Sequence, residues 1–188
     1  MAATDSVVTI HMAASLDGFV ARKDGRVDWM ETSDEFEGAD VLDPAAVSDL
    51  LETIDCYVMG SRTYETALRF EAKAMGWMYG DKPVFVLTHR VLPRTRASVT
   101  FHEGDLARFI NRELRPRFRS IWVVGGTETC ARCLSLGLVD EVRYTILPIL
   151  IGDGIAFFGR MDRDTPLHLL ECRAYRSGVV DLRYQVGG

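Results

Sequence analysis

The sequence lacks the features that mark membrane-spanning and general nucleic-acid-binding proteins. It has no run of the roughly 18 consecutive apolar residues that a membrane-spanning helix needs. Acidic residues outnumber Lys and Arg by 27 to 22, so the net charge is −5, whereas a general nucleic-acid binder is usually basic. We therefore expect neither a membrane span nor nucleic acid as a partner.

Cysteine is scarce, with four residues in the chain. All four lie in apolar or periodic segments, and Met1–Ala14 lacks the basic start and unbroken apolar run of a signal peptide. We therefore expect reduced thiols in a cytoplasmic protein. Cys130 and Cys133 have the spacing of a redox or zinc pair, but no second pair or histidine cluster accompanies them. The sequence predicts no metal site.

What the chain does contain is an alternation of strand and helix patterns. A length of 188 residues suits a single domain spanning 1–188. Short apolar runs predict buried strands, and they are followed by a C-terminal hairpin formed by Leu167–Tyr175 and Val179–Val186. The predicted buried strands are Val7–Ala14, Cys56–Met59, Pro83–Thr88, Ile121–Val124 and Glu141–Leu147.

Four helices are predicted between these strands. The first begins at Asp43-Pro44, with Asp43 as N-cap, and carries an apolar stripe formed by Val47, Leu50, Leu51 and Ile54. The others follow Gly60-Ser61, span 106–114, and follow Gly125-Gly126. Such alternation predicts an α/β fold with a mostly parallel mixed sheet and an antiparallel edge.

Two strand-to-helix junctions are candidate phosphate sites. In Val58–Glu65 a glycine turns the chain into a helix whose free amides and positive dipole end favour an anion, and Arg62 adds a cation. In Val124–Thr129 two glycines allow a ligand to approach the backbone closely. The alternative at both junctions is a tight turn that only caps a helix. Two such junctions in one small domain favour a two-phosphate ligand, because ligands gather at the carboxyl ends of parallel strands.

A third strand, Val84–Leu87, ends on a hydroxyl, an imidazole and a guanidinium, those of Thr88, His89 and Arg90. These groups suit an anion such as a ribose 2′-phosphate. A solvated strand end is the alternative.

At these junctions the sequence resembles a known family. Met59–Glu65 is similar to the Met-Gly-Arg-x-Thr-aromatic-Glu segment of dihydrofolate reductases, although Ser61 stands where the family has arginine. Val124-Gly125-Gly126 resembles their Gly-Gly turn. The segments Ala13–Gly18, Gly137–Glu141 and Pro148–Gly154 resemble instead the reductase domain of riboflavin biosynthesis, the RibD C-terminal type.

The resemblance implies a dihydrofolate-reductase-like three-layer fold, with helices on both faces of the sheet and NADPH in its cleft. It places the nicotinamide beside the backbone of Ala13. The residues that it implies for the cofactor are Ala13, Gly60, Ser61, Arg62, Thr63, Leu87, Thr88, His89, Arg90, Val124, Gly125, Gly126, Thr127, Glu128 and Thr129.

The implied function is hydride transfer to a small, pyrimidine- or pterin-related substrate, as in 5-amino-6-(5-phosphoribosylamino)uracil reductase. Asp17 and Asp34 are the candidate catalytic carboxylates, and Trp29 is the candidate for stacking on a flat substrate. Asp17 has an alternative role as a turn aspartate that pairs with Gly18. A true dihydrofolate reductase and a non-catalytic nucleotide sensor are the alternative functions. The resemblance also suggests a homodimer, with an apolar patch near Ile146–Phe158.

Overall fold

The computed structural model describes residues 6–31, 33–37, 39–41 and 44–187. This part of the chain contains ten strands: β1 (Val7–Ser15), β2 (Phe19–Ala21), β3 (Cys56–Gly60), β4 (Val84–Leu87), β5 (Val99–His102), β6 (Ser120–Gly125), β7 (Glu141–Leu147), β8 (Ile155–Ala156), β9 (Leu167–Ala174) and β10 (Val180–Val186). Its α-helices are α1 (Pro44–Glu52), α2 (Ser61–Phe70), α3 (Leu106–Arg108) and α4 (Thr127–Ser135). Two π-helical segments continue α2 and α3, namely Glu71–Met75 and Phe109–Leu114.

Eight strands form one sheet in the order β5-β4-β3-β6-β1-β7-β10-β9. The neighbours from β5 to β7 are parallel, and β10 is antiparallel to both β7 and β9. The predicted mostly parallel mixed sheet with a C-terminal antiparallel hairpin is therefore confirmed. β2 and β8 form a separate antiparallel pair, and the sequence patterns did not predict β5 or β8.

Alternate residues of the central strands bury two apolar cores, one on each face of the sheet. Val58 and Val123 belong to a core that includes residues of α4 and of the π-helical segment Phe109–Leu114. Tyr57 and Met59 belong to the opposite core, which includes Tyr64 of α2. The three-layer arrangement with helices on both faces is confirmed.

The first helix differs from its predicted packing. Its expected N-cap, Asp43, lies outside the described residues. Ile54 is buried and Leu51 half-buried, but Val47 is 40% exposed, so the apolar stripe reaches the core only near its C-terminal end. Lys82 anchors this end, because its Nζ donates to the carbonyl oxygens of Leu51, Glu52 and Ile54 at 2.6, 2.9 and 2.6 Å.

Two further groups of residues, one aromatic and one of cysteines, pack into the protein core. Tyr79 is buried and contacts Trp77, whose ring meets Tyr64 edge-on, so these aromatic rings belong to the core on the α2 face. Cys130 and Cys133 are fully buried in α4, and burial raises the pKa of each thiol to about 12. Within the described residues, no helix is both long and apolar enough to cross a lipid bilayer.

A polar network crosses β1, β7 and β10 on one face of the sheet. The His11 ring stacks on Trp122 at a centroid distance of 4.8 Å, and its Nε2 lies 3.0 Å from Oγ1 of Thr145. Thr145 donates to Asp181, which also accepts from Arg143. Burial, with a smaller effect from the Arg143 charge and against the opposing effect of Asp181, lowers the pKa of His11 to about 4.

The neutral state of His11 makes the stability of the fold depend on pH. The unfolded chain takes up a proton near pH 6.5 and the folded chain near pH 4, so stability present above pH 6.5 is lost as the pH falls between these values. At pH 5 this loss is about 2 kcal/mol. We predict that the His11→Phe variant keeps the stacking on Trp122. Between pH 7 and pH 5 its free energy of unfolding should fall by about 2 kcal/mol less than that of the parent. Urea unfolding at both pH values measures the difference, and equal losses in the two proteins would contradict the prediction.

Candidate functional site

The carboxyl ends of six parallel strands meet at one edge of the sheet. In spatial order they belong to β5, β4, β3, β6, β1 and β7. Because ligands of open α/β sheets bind at this edge, the residues that follow these strands form the candidate site. The predicted cofactor residues all lie here, in the segments that end or follow β4, β3 and β6 and, for Ala13, near the end of β1.

Glycine brings the β3–α2 and β6–α4 junctions into close contact. A Cβ atom on Gly60 would lie 2.8 Å from Oγ1 of Thr129, and one on Gly126 would lie 3.4 Å from Oγ1 of Thr63. Gly125 has a φ of +131°, which disfavours any side chain, and a Cβ there would lie 2.9 Å from Sδ of Met12. The first turns of α2 and α4 therefore lie side by side, with two threonine hydroxyls between them.

The N-termini of both helices are open to a ligand. Gly60 and Gly126 are the N-cap residues, and neither α2 nor α4 has a capping hydrogen bond from a side chain in the described part of the chain. Helices of ten and nine residues present first-turn amides and a positive dipole end at this point. Such adjacent amides, with a glycine backbone that a ligand can approach, fit a diphosphate.

The other predicted cofactor residues are partly occupied by local contacts. The Thr88 hydroxyl accepts from the backbone amide of Arg90 at 2.9 Å, and the Thr127 hydroxyl donates to the carbonyl of Ala156 at 2.5 Å. Ser61, Leu87 and Val124 are half-buried and contribute backbone or apolar surface.

Every cation expected to meet a phosphate has a carboxylate partner. Nη1 of Arg62 lies 3.6 Å from Oε1 of Glu128, with both side chains strongly exposed.

At the end of β4, Arg90 forms a bidentate pair with Glu65 at 2.7 and 3.1 Å. Nδ1 of His89 lies 2.9 Å from a carboxylate oxygen of Glu103. Arg62 and Arg90 are positioned at the predicted edge, but a carboxylate compensates the charge of each guanidinium, which the sequence did not lead us to expect.

On the β7 side of the edge, a cavity of about 460 Å³ opens. It is lined by Trp29, Glu31, Ser33, Asp34, Leu147, Pro148 and Ile149. Trp29 and Leu147 are buried and share one apolar cluster with Ala13, the residue expected beside the nicotinamide. The cavity and the glycine junctions are thus neighbours along the edge, with the end of β1 between them.

The two candidate carboxylates occupy different places around this cavity. Asp34 lines it, with its side chain packed so closely on the hairpin turn that a Cβ on Gly178 would collide with its Oδ2.

Asp17 instead accepts hydrogen bonds from the backbone amides of Ile151 and Gly152, the latter at 2.7 Å, which ties the β1–β2 turn to the chain after β7. The Ser15 hydroxyl and these amides lower the pKa of the Asp17 carboxyl, so it is ionised at neutral pH. The structure thus places Asp17 in a turn, as the alternative interpretation held, but its partners are Ile151 and Gly152 rather than Gly18, whose amide donates to the carbonyl of Ser15. Its catalytic role stays a prediction.

Several residues at the site were missed from the sequence. Glu65 lies in the quoted motif but received no role, and Glu31 and Ser33 lie two and four residues after Trp29. The signal that would have found Glu31 is a stretch from 27 to 61 that contains ten acidic residues and no Lys, Arg or His. Among the described residues, no group of three or more His, Cys, Asp or Glu side chains is arranged to hold a metal ion.

Known proteins are similar to this chain in sequence and fold. The profile of the RibD C-terminal domain matches residues 6–180. The Bacillus subtilis (strain 168) protein YwjB is 29% identical over 170 residues, covering 90% of this chain and 92% of its own length. A Shewanella sp. PV-4 protein assigned to riboflavin biosynthesis superposes with a TM-score of 0.80 at 27% identity, covering 97% of this chain and 99% of that chain.

A more distant likeness concerns the fold alone. The Thermotoga maritima diaminohydroxyphosphoribosylaminopyrimidine deaminase/5-amino-6-(5-phosphoribosylamino)uracil reductase superposes with a TM-score of 0.67 at 14% identity, covering 97% of this chain and 57% of that longer chain. The sheet order, the glycine junctions at its carboxyl edge and the profile match over nearly the whole length agree with one another. The chain belongs to the RibD C-terminal domain family.

Proposed function

We propose that this chain is an NADPH-dependent reductase of a small, pyrimidine- or pterin-related substrate, similar to 5-amino-6-(5-phosphoribosylamino)uracil reductase. The observation that carries the proposal is the pair of uncapped helix N-termini held together at Gly60 and Gly126, on the same sheet edge as a cavity of about 460 Å³. A dinucleotide needs the first feature and a small substrate needs the second.

The cofactor residues act by binding and orientation. First-turn amides of α2 and α4, with the hydroxyls of Thr63 and Thr129, would hold the diphosphate of the cofactor, and the backbone of Ala13 would lie beside the nicotinamide. When bound, NADPH supplies the hydride. Arg90 and His89, at the end of β4, meet the 2′-phosphate. Because Glu65 holds the Arg90 guanidinium at both nitrogens, that side chain is already ordered before a ligand arrives.

The substrate residues act by positioning and by excluding water. Trp29 and Leu147 form a buried apolar wall next to Ala13, which keeps a flat ring near the nicotinamide position. Asp34 is the carboxylate that we propose to contact the substrate, because it lines the cavity. Asp17, being ionised and bound to two amides, holds the loop after β7 in place and is not a proton donor near neutral pH.

The preference for NADPH over NADH is directly measurable. We expect tighter binding of NADPH in a fluorescence titration, because only its 2′-phosphate interacts with Arg90 and His89. Arg90→Ala should reduce the difference in affinity between NADPH and NADH. Arg108→Ala, on α3, is the control that should leave this difference unchanged. Equal affinities in the parent protein would contradict the cofactor assignment.

The glycine junction provides a second test. Gly126 has φ −76° and ψ −176°, which any residue adopts, so its lack of a side chain serves close approach rather than backbone freedom. We predict that Gly126→Val weakens NADPH binding about tenfold, about 1.4 kcal/mol, and that Gly126→Ala acts in the same direction more weakly.

Ser135→Ala, at the far end of the same helix, is the matched control. Thermal melting without cofactor shows whether a variant that binds NADPH weakly is still folded. Normal melting together with unchanged NADPH affinity in both Gly126 variants would place the diphosphate elsewhere.

Turnover decides between the candidate activities. A screen for NADPH oxidation with 5-amino-6-(5-phosphoribosylamino)uracil, its dephosphorylated form and dihydrofolate tests reductase activity and its class. Efficient reduction of dihydrofolate would favour a dihydrofolate reductase. NADPH binding without oxidation of any of them would favour a nucleotide sensor.

We also propose that the chain forms a homodimer through the outer hairpin. Leu167, Leu169 and Leu170 are 43%, 49% and 45% exposed on the edge strand β9. Leu150, Ile155 and Phe158, within the segment expected to supply a patch, are exposed as well. Exposed leucines on an edge strand with open backbone groups favour pairing with another strand, and a second copy presents the same surface.

Sedimentation tests the dimer. At micromolar concentration we expect a species of twice 21.1 kDa, which Leu169→Glu converts to monomer while Leu136→Glu, at the exposed end of α4, does not. A parent protein that sediments only at 21.1 kDa would refute the proposal.

A further inference from the structure

The cavity next to the end of β7 is lined in part by Trp29, Glu31, Ser33 and Asp34, which belong to a stretch of the chain without Lys, Arg or His. Residues 27–61 include ten Asp or Glu and no Lys, Arg or His. Two of these acids, Glu31 and Asp34, line the cavity itself. Residues 32, 38, 42 and 43, which the structure does not describe, are Thr, Gly, Leu and Asp, so they add no positive charge.

The cations that directly precede this segment are already paired. Arg22 binds Asp28 at 2.6 Å, and Arg26 binds both Asp24 and Asp28. Lys23 is paired with Asp153.

Arg176 makes two backbone hydrogen bonds to the segment. Its amide donates to Asp40 and its carbonyl accepts from Phe36, while its exposed side chain is not part of the cavity lining. A phosphate group in the cavity would thus meet carboxylates without a lining cation.

Three backbone amides that follow β7 offer no substitute for a cation. The amide of Ile149 donates to the carbonyl of Leu147 at 2.8 Å. The amides of Ile151 and Gly152 are bound to the Asp17 carboxylate. An anion site built from backbone needs several free amides that converge, and these three are occupied.

The remaining polar groups define the complementary ligand. The carboxylates of Glu31 and Asp34 accept hydrogen bonds and favour positive charge. Nε1 of Trp29 is a buried donor, in a residue only 4% exposed, with no hydrogen-bond partner among the described residues. A buried donor without a partner is costly, so a ligand acceptor that meets it is stabilised. The apolar surfaces of Leu147 and Ile149 suit a flat ring.

Resting on the proposed reductase function, we infer that the cavity takes an unphosphorylated nitrogen heterocycle, neutral or cationic, with N–H donors for the carboxylates and a carbonyl acceptor for the Trp29 indole. It rejects a substrate that carries a phosphoribosyl group. The chain thereby differs in substrate class from the reductase named in the Thermotoga maritima structure, whose substrate is phosphorylated.

Binding of a matched ligand pair tests this inference. Calorimetry with the NADP⁺-saturated protein, which cannot transfer a hydride, compares the binding of 5-amino-6-(5-phosphoribosylamino)uracil with that of its dephosphorylated form. We expect the dephosphorylated form to bind at least about tenfold more tightly at low salt, and the ratio to fall as added salt screens the carboxylates. The double variant Glu31→Gln/Asp34→Asn should reduce the ratio severalfold, with Glu113→Gln/Asp162→Asn, which removes two exposed acids elsewhere, as the matched control.

The outcomes separate this inference from the proposed function. Failure of NADPH to bind overturns the reductase function, and the inference with it. With NADP⁺ bound, equal or tighter binding of the phosphorylated form overturns the substrate class alone. Binding of neither form also overturns it, because the cavity would then not take an aminopyrimidine. If the control double variant lowers the ratio as much as Glu31→Gln/Asp34→Asn does, the net charge of the protein, rather than the cavity, discriminates between the two ligands.

Discussion

The parallel pairing of β1 with both β6 and β7 is the constraint on which the site depends. β1 pairs with β6 from Val7 to Ile10 and with β7 from Thr9 to Ser15. Because all three strands run in the same direction, the Gly125-Gly126 turn and the cavity beside Leu147 lie at the same edge, on either side of the end of β1. A one-residue slip in either pairing would move Ala13 to the opposite face and separate the two halves of the site.

The two halves are charged in different ways. On the β3–β4 side, cations alternate with carboxylates in pairs such as Arg90–Glu65, so local charge is balanced and each guanidinium is held in place. On the β7 side, carboxylates stand without lining cations. We therefore expect the anionic part of the ligands on the β3–β4 side and a part without negative charge on the β7 side. This difference in charge would orient cofactor and substrate without a conformational change.

The sequence predicts the local parts of this site better than the distant ones. The β3–α2 and β6–α4 junctions are each contained in about eight consecutive residues, so strand, glycine and helix are readable in order. The Glu65–Arg90 pair joins residues 25 positions apart and depends on how α2 packs beside β4, which no local pattern encodes. β5 was missed because it is a four-residue edge strand, Val-Thr-Phe-His, with one fully buried side chain. The cavity arises where Trp29 meets Leu147, a contact across more than 100 residues that only the completed sheet creates.

The cysteines differ in burial, so the rates at which their thiols react report on the state of the fold. Cys56, Cys130 and Cys133 are buried among the core side chains, whereas Cys172 is exposed on β9. An alkylating reagent therefore reacts with one thiol of the folded chain, and the other three become accessible only when the sheet or α4 opens. Since Cys172 lies on the same strand as the exposed leucines, its labelling rate reports on what covers that edge. The labelling rates of the three buried thiols report how often the core opens. One mass spectrum, followed over hours, would record both processes in the same sample.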